Sequence, residues 1–395
     1  MQTTENEQFL YSQLITYIGN KRSLLPFIGQ AINLVRKNLN KDKLSCLDLF
    51  SGSGIVARYL KQFSSDLTVN DLENYSCIIN KCYLSNPSQE QLKKLSSLHK
   101  NITKKINEKI QQLESSRIDG TYNHPGFISE LYSPLNIDKI KQNERCFYTP
   151  YNANFLDIAC QLIQKDIPDK YKPFFIAPLL SEASIHANTA GIFKGFYKNS
   201  KTKIGQFGGN GKNALTRILG NITLPFPVFS NFSCPFNVFN QNANELADSE
   251  ELYSLPEDNL FDLAYLDPPY NQHPYGSNYF MLNLLASYTR PDSNEISQVS
   301  GIPKDWNRSD FNKKKKVENA FFELVQKIKA KYILVSFNSE GFLTKEQMIA
   351  LLSKIGKVQV LESQYNTFRG SRNLSARNIH VKEYLFLVNK INHLP

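Results

Sequence analysis

The chain has 395 residues, 41% of them apolar or aromatic, and a formal net charge of +10, which is length enough for two domains with cores of their own. No apolar stretch approaches the roughly 20 residues of a membrane-spanning helix, and the polar start lacks the basic-then-apolar order of a signal peptide. Six cysteines and six histidines lie scattered without paired or metal-ligand spacing. That pattern argues against a disulfide framework or a zinc site and reads as reduced thiols of a cytosolic protein.

In chain order, 23–39 has helical spacing and 44–50 is a short apolar strand. A second helix follows from 54 to 63, and 67–70 is a strand ending at Asp71. This β-α-β order implies a parallel sheet covered by helices. From 91 to 115 apolar residues recur at helical spacing, from Leu92 and Leu95 to Ile110 and Leu113, which predicts one long amphipathic helix. Two more helices are expected at 154–164 and 173–188. The stretch 191–211, rich in Gly, Lys, Asn and Phe, is too irregular for an element and too long for a passive connector, so it reads as a binding loop. Strands are then expected at 236–239, 260–266 and 332–337, with a helix at 317–329. The segments 357–362 and 381–388 are expected to close the sheet as an antiparallel pair. The fold class is therefore α/β: a mostly parallel, doubly wound sheet interrupted by a mostly helical insert at 76–235, with the catalytic unit made of 1–75 and 236–395.

The charge is not spread evenly. Residues 1–74 carry 8 Lys and Arg against 7 Asp and Glu, 75–235 carry 20 against 11, and 236–395 carry 18 against 18. Between Ala183 and Asn244 there is no acidic residue at all, but there are Lys194, Lys198, Lys201, Lys203, Lys212 and Arg217. An acid-free span of that length favours a polyanion footprint over a plain solvated face. A second acid-free loop carries Arg369, Arg372 and Arg377 and reads as a phosphate contact. The run Lys313–Lys316 opens a helix that also holds Glu318 and Glu323, and reads as a solvated face.

Two stretches carry chemistry. The first strand ends in Asp48-Leu49-Phe50-Ser51-Gly52-Ser53-Gly54, a glycine turn that lets a ligand approach the backbone at a helix start. About twenty residues on, Asp71 ends the next strand, where an acid commonly receives ribose hydroxyls. Glycine turn plus acid, with no third glycine and no phosphate-loop lysine, fits a nucleoside without a pyrophosphate. The second stretch is Asp267-Pro268-Pro269-Tyr270 after an apolar strand. Two prolines cannot continue the ladder, so a carboxylate, a free carbonyl and an aromatic ring are held stiffly around one small space. That set suits a planar ring bearing an amino group.

Together these blocks resemble the Dam-type, α-group family of DNA adenine-N6 methyltransferases. Tyr17-Ile18-Gly19-Asn20-Lys21 is similar to its N-terminal block, the glycine turn and Asp71 follow, and Asp267–Tyr270 is similar to its catalytic block. The resemblance implies S-adenosyl-L-methionine as methyl donor, held by Tyr17, Lys21, Asp48, Phe50, Ser51, Gly52, Gly54, Asp71 and Asp267. In that reading the Lys21 ammonium pairs with the methionine carboxylate. It implies Asp267, Pro268, Pro269 and Tyr270 as the catalytic set, and no metal. It implies double-stranded DNA as substrate, with the target adenine flipped out, and Lys198, Lys201, Lys203, Lys212, Arg217, Arg369, Arg372 and Arg377 as DNA contacts. Base readers would come from the insert, among them Asn199, Gln206, Asn210, Lys212 and Asn213. Tyr275, Tyr279 and Phe280 are candidates to wall the base pocket, Phe280 equally for core packing. His273 is assigned no role. The resemblance also implies a bacterial cytosol or nucleoid setting, with a cognate restriction endonuclease as a possible partner and either monomer or dimer open. The alternatives are an RNA or cytosine-amino methyltransferase, or a regulator or specificity subunit that has lost catalysis on the same fold.

Overall fold

The computed structural model describes residues 4–209, 214–366 and 380–390. Its centre is a seven-stranded sheet made of β1 (Leu44–Asp48), β2 (Ser64–Asn70), β3 (Phe236–Phe239), β4 (Phe261–Leu266), β5 (Ala330–Asn338), β6 (Lys357–Asn366) and β7 (His380–Asn389). The spatial order is β3-β2-β1-β4-β5-β7-β6. The first five strands pair in parallel, and β7 pairs antiparallel with both β5 and β6. The expected mostly parallel sheet with an antiparallel end is what forms, and β7 is seated between β5 and β6.

Register decides which side chains meet. Asp48 lies beside Val69 on β2 and Tyr265 on β4, Tyr265 beside Leu334, and Asn338 beside Glu383. Side chains alternate along a strand, so Cys46 and Asp48, Leu263 and Tyr265, Leu334 and Ser336, and Leu385 and Glu383 all extend one face of the sheet. The apolar members of that series are buried with Ile28, Ile32 and Val35 of the helix Leu25–Leu39 and with Val56 and Leu60 of the helix Ile55–Leu60. The polar members lie toward one edge of the sheet, at the carboxyl ends of β1, β4 and β5 and at the amino end of the antiparallel β7, where the apolar cover stops. On the opposite face, Leu47, Ala264, Leu266, Ile333, Val335, Phe386 and Val388 pack with the helices Val317–Lys327 and Lys345–Leu352.

The helix Gln89–Ser115 buries Leu95, Ile102, Ile106 and Ile110, as its spacing predicts. It starts at a capping box in which Ser88 and Gln91 satisfy each other's backbone N–H groups. Three α-helices described in this region have no counterpart in the expected elements, Asn74–Tyr83, Phe127–Tyr132 and Leu215–Leu219. In the first (NYSCIINKCY), seven of the ten residues are buried, including Ser76 and Asn80, so no polar stripe marks its period. The apolar cluster of the insert is shared with the rest of the chain: it includes Phe9, Leu14 and Ile15 from the start and Phe280 to Ala286 from the helix that follows the Asp267 turn. Among the described residues, no helix is long and apolar enough to cross a membrane.

Candidate active site

At the carboxyl ends of β1, β2 and β4 a cleft of about 890 Å³, solvent at its mouth included, is lined by Tyr17–Lys21, Asp48–Ser53, Asp71, Glu73, Tyr265, Asp267 and Pro269. Its floor is the glycine turn. Gly52 and Gly54 sit at φ +52° and +74°, in the left-handed region that favours glycine. A Cβ on Gly52 would stand 2.8 Å from the Tyr17 ring, so the turn is also kept bare by the segment that crosses it. The Gly52 N–H donates to Asp71 Oδ2 at 2.7 Å, and the Glu73 N–H donates to Asp71 Oδ1 at 2.8 Å. One carboxylate thus fixes the loop and still faces the cleft. Ser51 Oγ is turned inward, accepting from Asn80 Nδ2 at 2.8 Å.

The strap over the turn is held by aromatic rings. Tyr17 packs against both Tyr275 and Tyr279, with ring centroids 4.9 Å from each, and those two rings lie 5.9 Å apart. The Ile18 N–H donates to the Tyr279 hydroxyl at 2.8 Å, and the Tyr275 hydroxyl donates to the Ile18 carbonyl at 3.1 Å. Tyr279 and Phe280 are core residues, 0% and 2% exposed, so of the three expected base-pocket aromatics only Tyr275 lines the cleft. Opposite, Phe50 meets Phe311 edge to face at 5.2 Å.

The charged cluster is the main surprise. Lys21 is buried, and its Nζ lies 3.2 Å from Asp267 Oδ1 and 2.9 Å from Glu383 Oε1. Sequence reasoning placed this ammonium against a ligand carboxylate; the fold places it between two carboxylates of the protein, because β7 delivers Glu383 to the same sheet edge. Glu383 Oε1 also accepts from Ser336 Oγ at 2.6 Å. Burial alone would make Lys21 easier to deprotonate, but Asp267 and Glu383 override it and hold the ammonium well above the usual lysine range. Burial pushes the Asp267 carboxyl up to about 6 against the pull of Lys21, and does the same to Asp71. It raises Glu73 to about 7 and Asp48 well above the usual carboxylate range.

Beside this ion-paired cluster, Asp48 Oδ2, the Tyr265 hydroxyl and Glu383 Oε2 are buried with no hydrogen-bond partner. Of these, Asp48 and Tyr265 line the cleft, and an unsatisfied carboxylate oxygen beside an unsatisfied hydroxyl marks a place that a ligand would complete. Asp48, Asp71, Glu73 and Asp267 line the cleft with one lysine, Lys21, which is already paired with two carboxylates, so the wall attracts a cation.

The Asp267 turn is braced as its prolines suggest. Asn338 Nδ2 donates to the Tyr270 hydroxyl at 2.7 Å, the Tyr270 carbonyl accepts from Phe342 N–H at 2.8 Å, and the ring meets Phe337 edge to face at 5.4 Å. Asn312 Nδ2 donates to the Asn271 carbonyl at 2.9 Å, tying the turn to the loop that carries Phe311.

In the insert, the irregular stretch folds as a finger. Gln206 N–H donates to the Tyr197 carbonyl at 3.0 Å, Asn199 N–H to the Ile204 carbonyl at 2.8 Å, and Lys198 pairs with Gly205. At its base the buried Asn188 amide donates to the carbonyls of Cys146 and Gln206, at 2.7 and 2.8 Å. Lys198, Lys201 and Lys203 are exposed on this finger. Arg217 differs: its guanidinium donates to the carbonyls of Ile185, Ala187 and Thr189, which makes it an internal strut. Lys212, Asn210, Asn213, Arg369, Arg372 and Arg377 lie outside the described residues. Lys313 and Lys316 pair with Asp310, as a solvated face would.

Comparison with known proteins bears on this arrangement. The chain matches the model of the D12 class N6 adenine-specific DNA methyltransferases over residues 17–206 and 229–351. It is 30% identical to the Type II methyltransferase M.CviAII of Paramecium bursaria Chlorella virus 1, over 95% of the chain and 98% of that relative. It is 28% identical to the Type II methyltransferase M.NlaIII of Neisseria lactamica, over 95% of the chain and 99% of the relative. The Type II methyltransferase M.FokI of Planomicrobium okeanokoites is also 28% identical over 95% of the chain, which spans 52% of it.

Proposed function

Since the chain belongs to the D12 class of N6 adenine-specific DNA methyltransferases, we propose which of its residues carry site-specific methylation of adenine in DNA and which donor they use. The donor is S-adenosylmethionine, and the observation that carries this reading is a wall of buried acids, with Asp48 Oδ2 unpartnered, beside a bare glycine turn. A ligand with an ammonium and a sulfonium supplies a cation to Asp48, whose Oδ2 is unpartnered, and a ribose has Asp71 within reach of the Gly52 turn. Bound there, the cofactor supplies an electrophilic methyl group.

The protein must then make adenine's amino nitrogen a nucleophile. Its lone pair is delocalised into the ring. Asp267 and the Pro268 carbonyl accept its two N–H bonds, which favours a pyramidal nitrogen with a localised lone pair. The Asp267 carboxylate also stabilises positive charge on that nitrogen as the methyl arrives. The prolines and the Asn338–Tyr270 hydrogen bond keep these acceptors fixed, so little reorganisation is needed at the moment of transfer. Tyr270 stacks on the base, which must leave the duplex to reach the turn. After transfer the methylated nitrogen is strongly acidic and loses its proton.

The stretch 76–235 serves as the target recognition domain, with the Lys198–Lys203 finger as its phosphate contact to double-stranded DNA. The relatives' designation as Type II methyltransferases supports a restriction-modification setting with a cognate endonuclease. The test is direct: incubate the protein with labelled S-adenosylmethionine and mixed-sequence duplex DNA, then map modified adenines by sequencing. Asp267→Ala is expected to abolish transfer, by at least about a hundredfold, while DNA and cofactor binding largely survive. Full activity in that variant would sink the mechanism.

A further inference from the structure

Beyond the residues matched by the family model, which end at 351, one buried acid faces the reacting turn: Glu383 on β7, 0% exposed. From its position on the antiparallel strand we infer that Glu383 is a positioning residue for methyl transfer, gripping Lys21 and sharing its charge so that Asp267 stays a strong hydrogen-bond acceptor. The inference rests on the role proposed for Asp267.

The geometry is specific. Lys21 Nζ stands closer to Glu383 Oε1, at 2.9 Å, than to Asp267 Oδ1, at 3.2 Å. Glu383 is itself oriented by Ser336, whose hydroxyl donates to the same Oε1 at 2.6 Å. Asp267 is 18% exposed at its side chain, toward the cleft, whereas Glu383 is sealed and touches no space a substrate enters. The other charged or titratable groups facing Asp267 are Asp48 from β1, Tyr265 from β4, and Tyr270 and Tyr275 from the turn and the short helix after it. Among these described residues Lys21 is the sole cation.

A carboxylate paired one-to-one with a buried ammonium is neutralised and becomes a poor acceptor. Two carboxylates on one ammonium leave a net negative cluster. The Glu383 charge thereby raises the proton affinity of Asp267, the same quality that makes it pull on an amino N–H. A purely structural ion pair would predict lost stability without any change in how activity depends on pH.

The test uses the full chain, labelled S-adenosylmethionine and unmethylated mixed-sequence duplex DNA, with kcat followed between about pH 5 and 9. In Glu383→Gln, kcat near neutrality is expected to fall about tenfold. KM for S-adenosylmethionine should stay within about twofold, and the acid limb of the profile should move down by about one pH unit. Glu383→Asp keeps the charge but withdraws the grip, so its limb should stay near the wild-type position while kcat falls several-fold. An unmoved limb in Glu383→Gln, or a KM that rises as much as kcat falls, overturns the inference. Should Glu383→Gln not fold, wild-type kcat in Glu383→Asp overturns it instead. Wild-type protein that transfers no label to adenine would defeat the activity reading and this inference together; an active wild type with an unshifted variant defeats the inference alone.

Discussion

At Asp267 burial and Lys21 pull proton affinity in opposite directions, and burial prevails, to about 6. The proposed acceptor role needs the ionised form, so kcat is expected to fall as pH drops through that value; a pH–rate profile flat from about pH 8 to 5 would contradict it. Gly52 offers a second check. Any side chain there must hold a left-handed φ and displace the Tyr17 ring. Gly52→Ala is therefore expected to cost about 1–2 kcal/mol of stability and to weaken S-adenosylmethionine binding at least about tenfold, measurable by calorimetry. Asp48, Asp71 and Asp267 were legible in the sequence because each closes an apolar strand, where acids are conspicuous. Glu383 was not: it lies in VKEYLFLV with nothing to distinguish it from an exposed edge residue. Only the pairing of Glu383 opposite Asn338 brings it to Lys21.

Among the elements, the five parallel strands and the long insert helix could be read from periodicity, since each buries one regular stripe or a short apolar run. The helix Asn74–Tyr83 could not, being packed on most sides, and the finger at 197–206 showed only as an odd composition. Its structure comes from side chains acting as backbone, Asn188 at its base and Asn199 at its tip. Arg217 shows the limit of charge counting: it belongs to the same acid-free span as the finger, yet its donors hold carbonyls of the chain. Replacing Lys198, Lys201 and Lys203 together with Ala is expected to weaken DNA binding and to flatten the log-affinity against log-salt slope by between about 1 and 3. An unchanged slope, measured by fluorescence anisotropy at several salt concentrations, would show that the finger touches no phosphates. Arg217→Ala is expected instead to lower thermal stability, with the slope kept.

Over the whole molecule, the acids of the cleft couple stability to pH. Asp71 and Asp267 at about 6 and Glu73 at about 7 bind protons more tightly folded than unfolded. Their contribution is therefore full below about pH 4 and is lost as pH rises through 6 to 7. Glu73 alone represents on the order of 3 kcal/mol lost by pH 8. The Tm of ligand-free protein is expected to decline from pH 5 to 8, and Glu73→Gln to flatten that decline; parallel curves in a thermal melt would remove Glu73 from the account. The order of the sheet has a further consequence, for how the protein is made. β7 is the last of the seven strands in sequence yet sits inside the sheet, with β6, already synthesised, on its far side. Until β7 has been made, β5 has an open edge, β6 has no neighbour to join, and Lys21 waits without Glu383. A chain made only as far as β6 can gather its glycine turn and its Asp267 turn but not the charge arrangement between them, which waits on the pairing of β7.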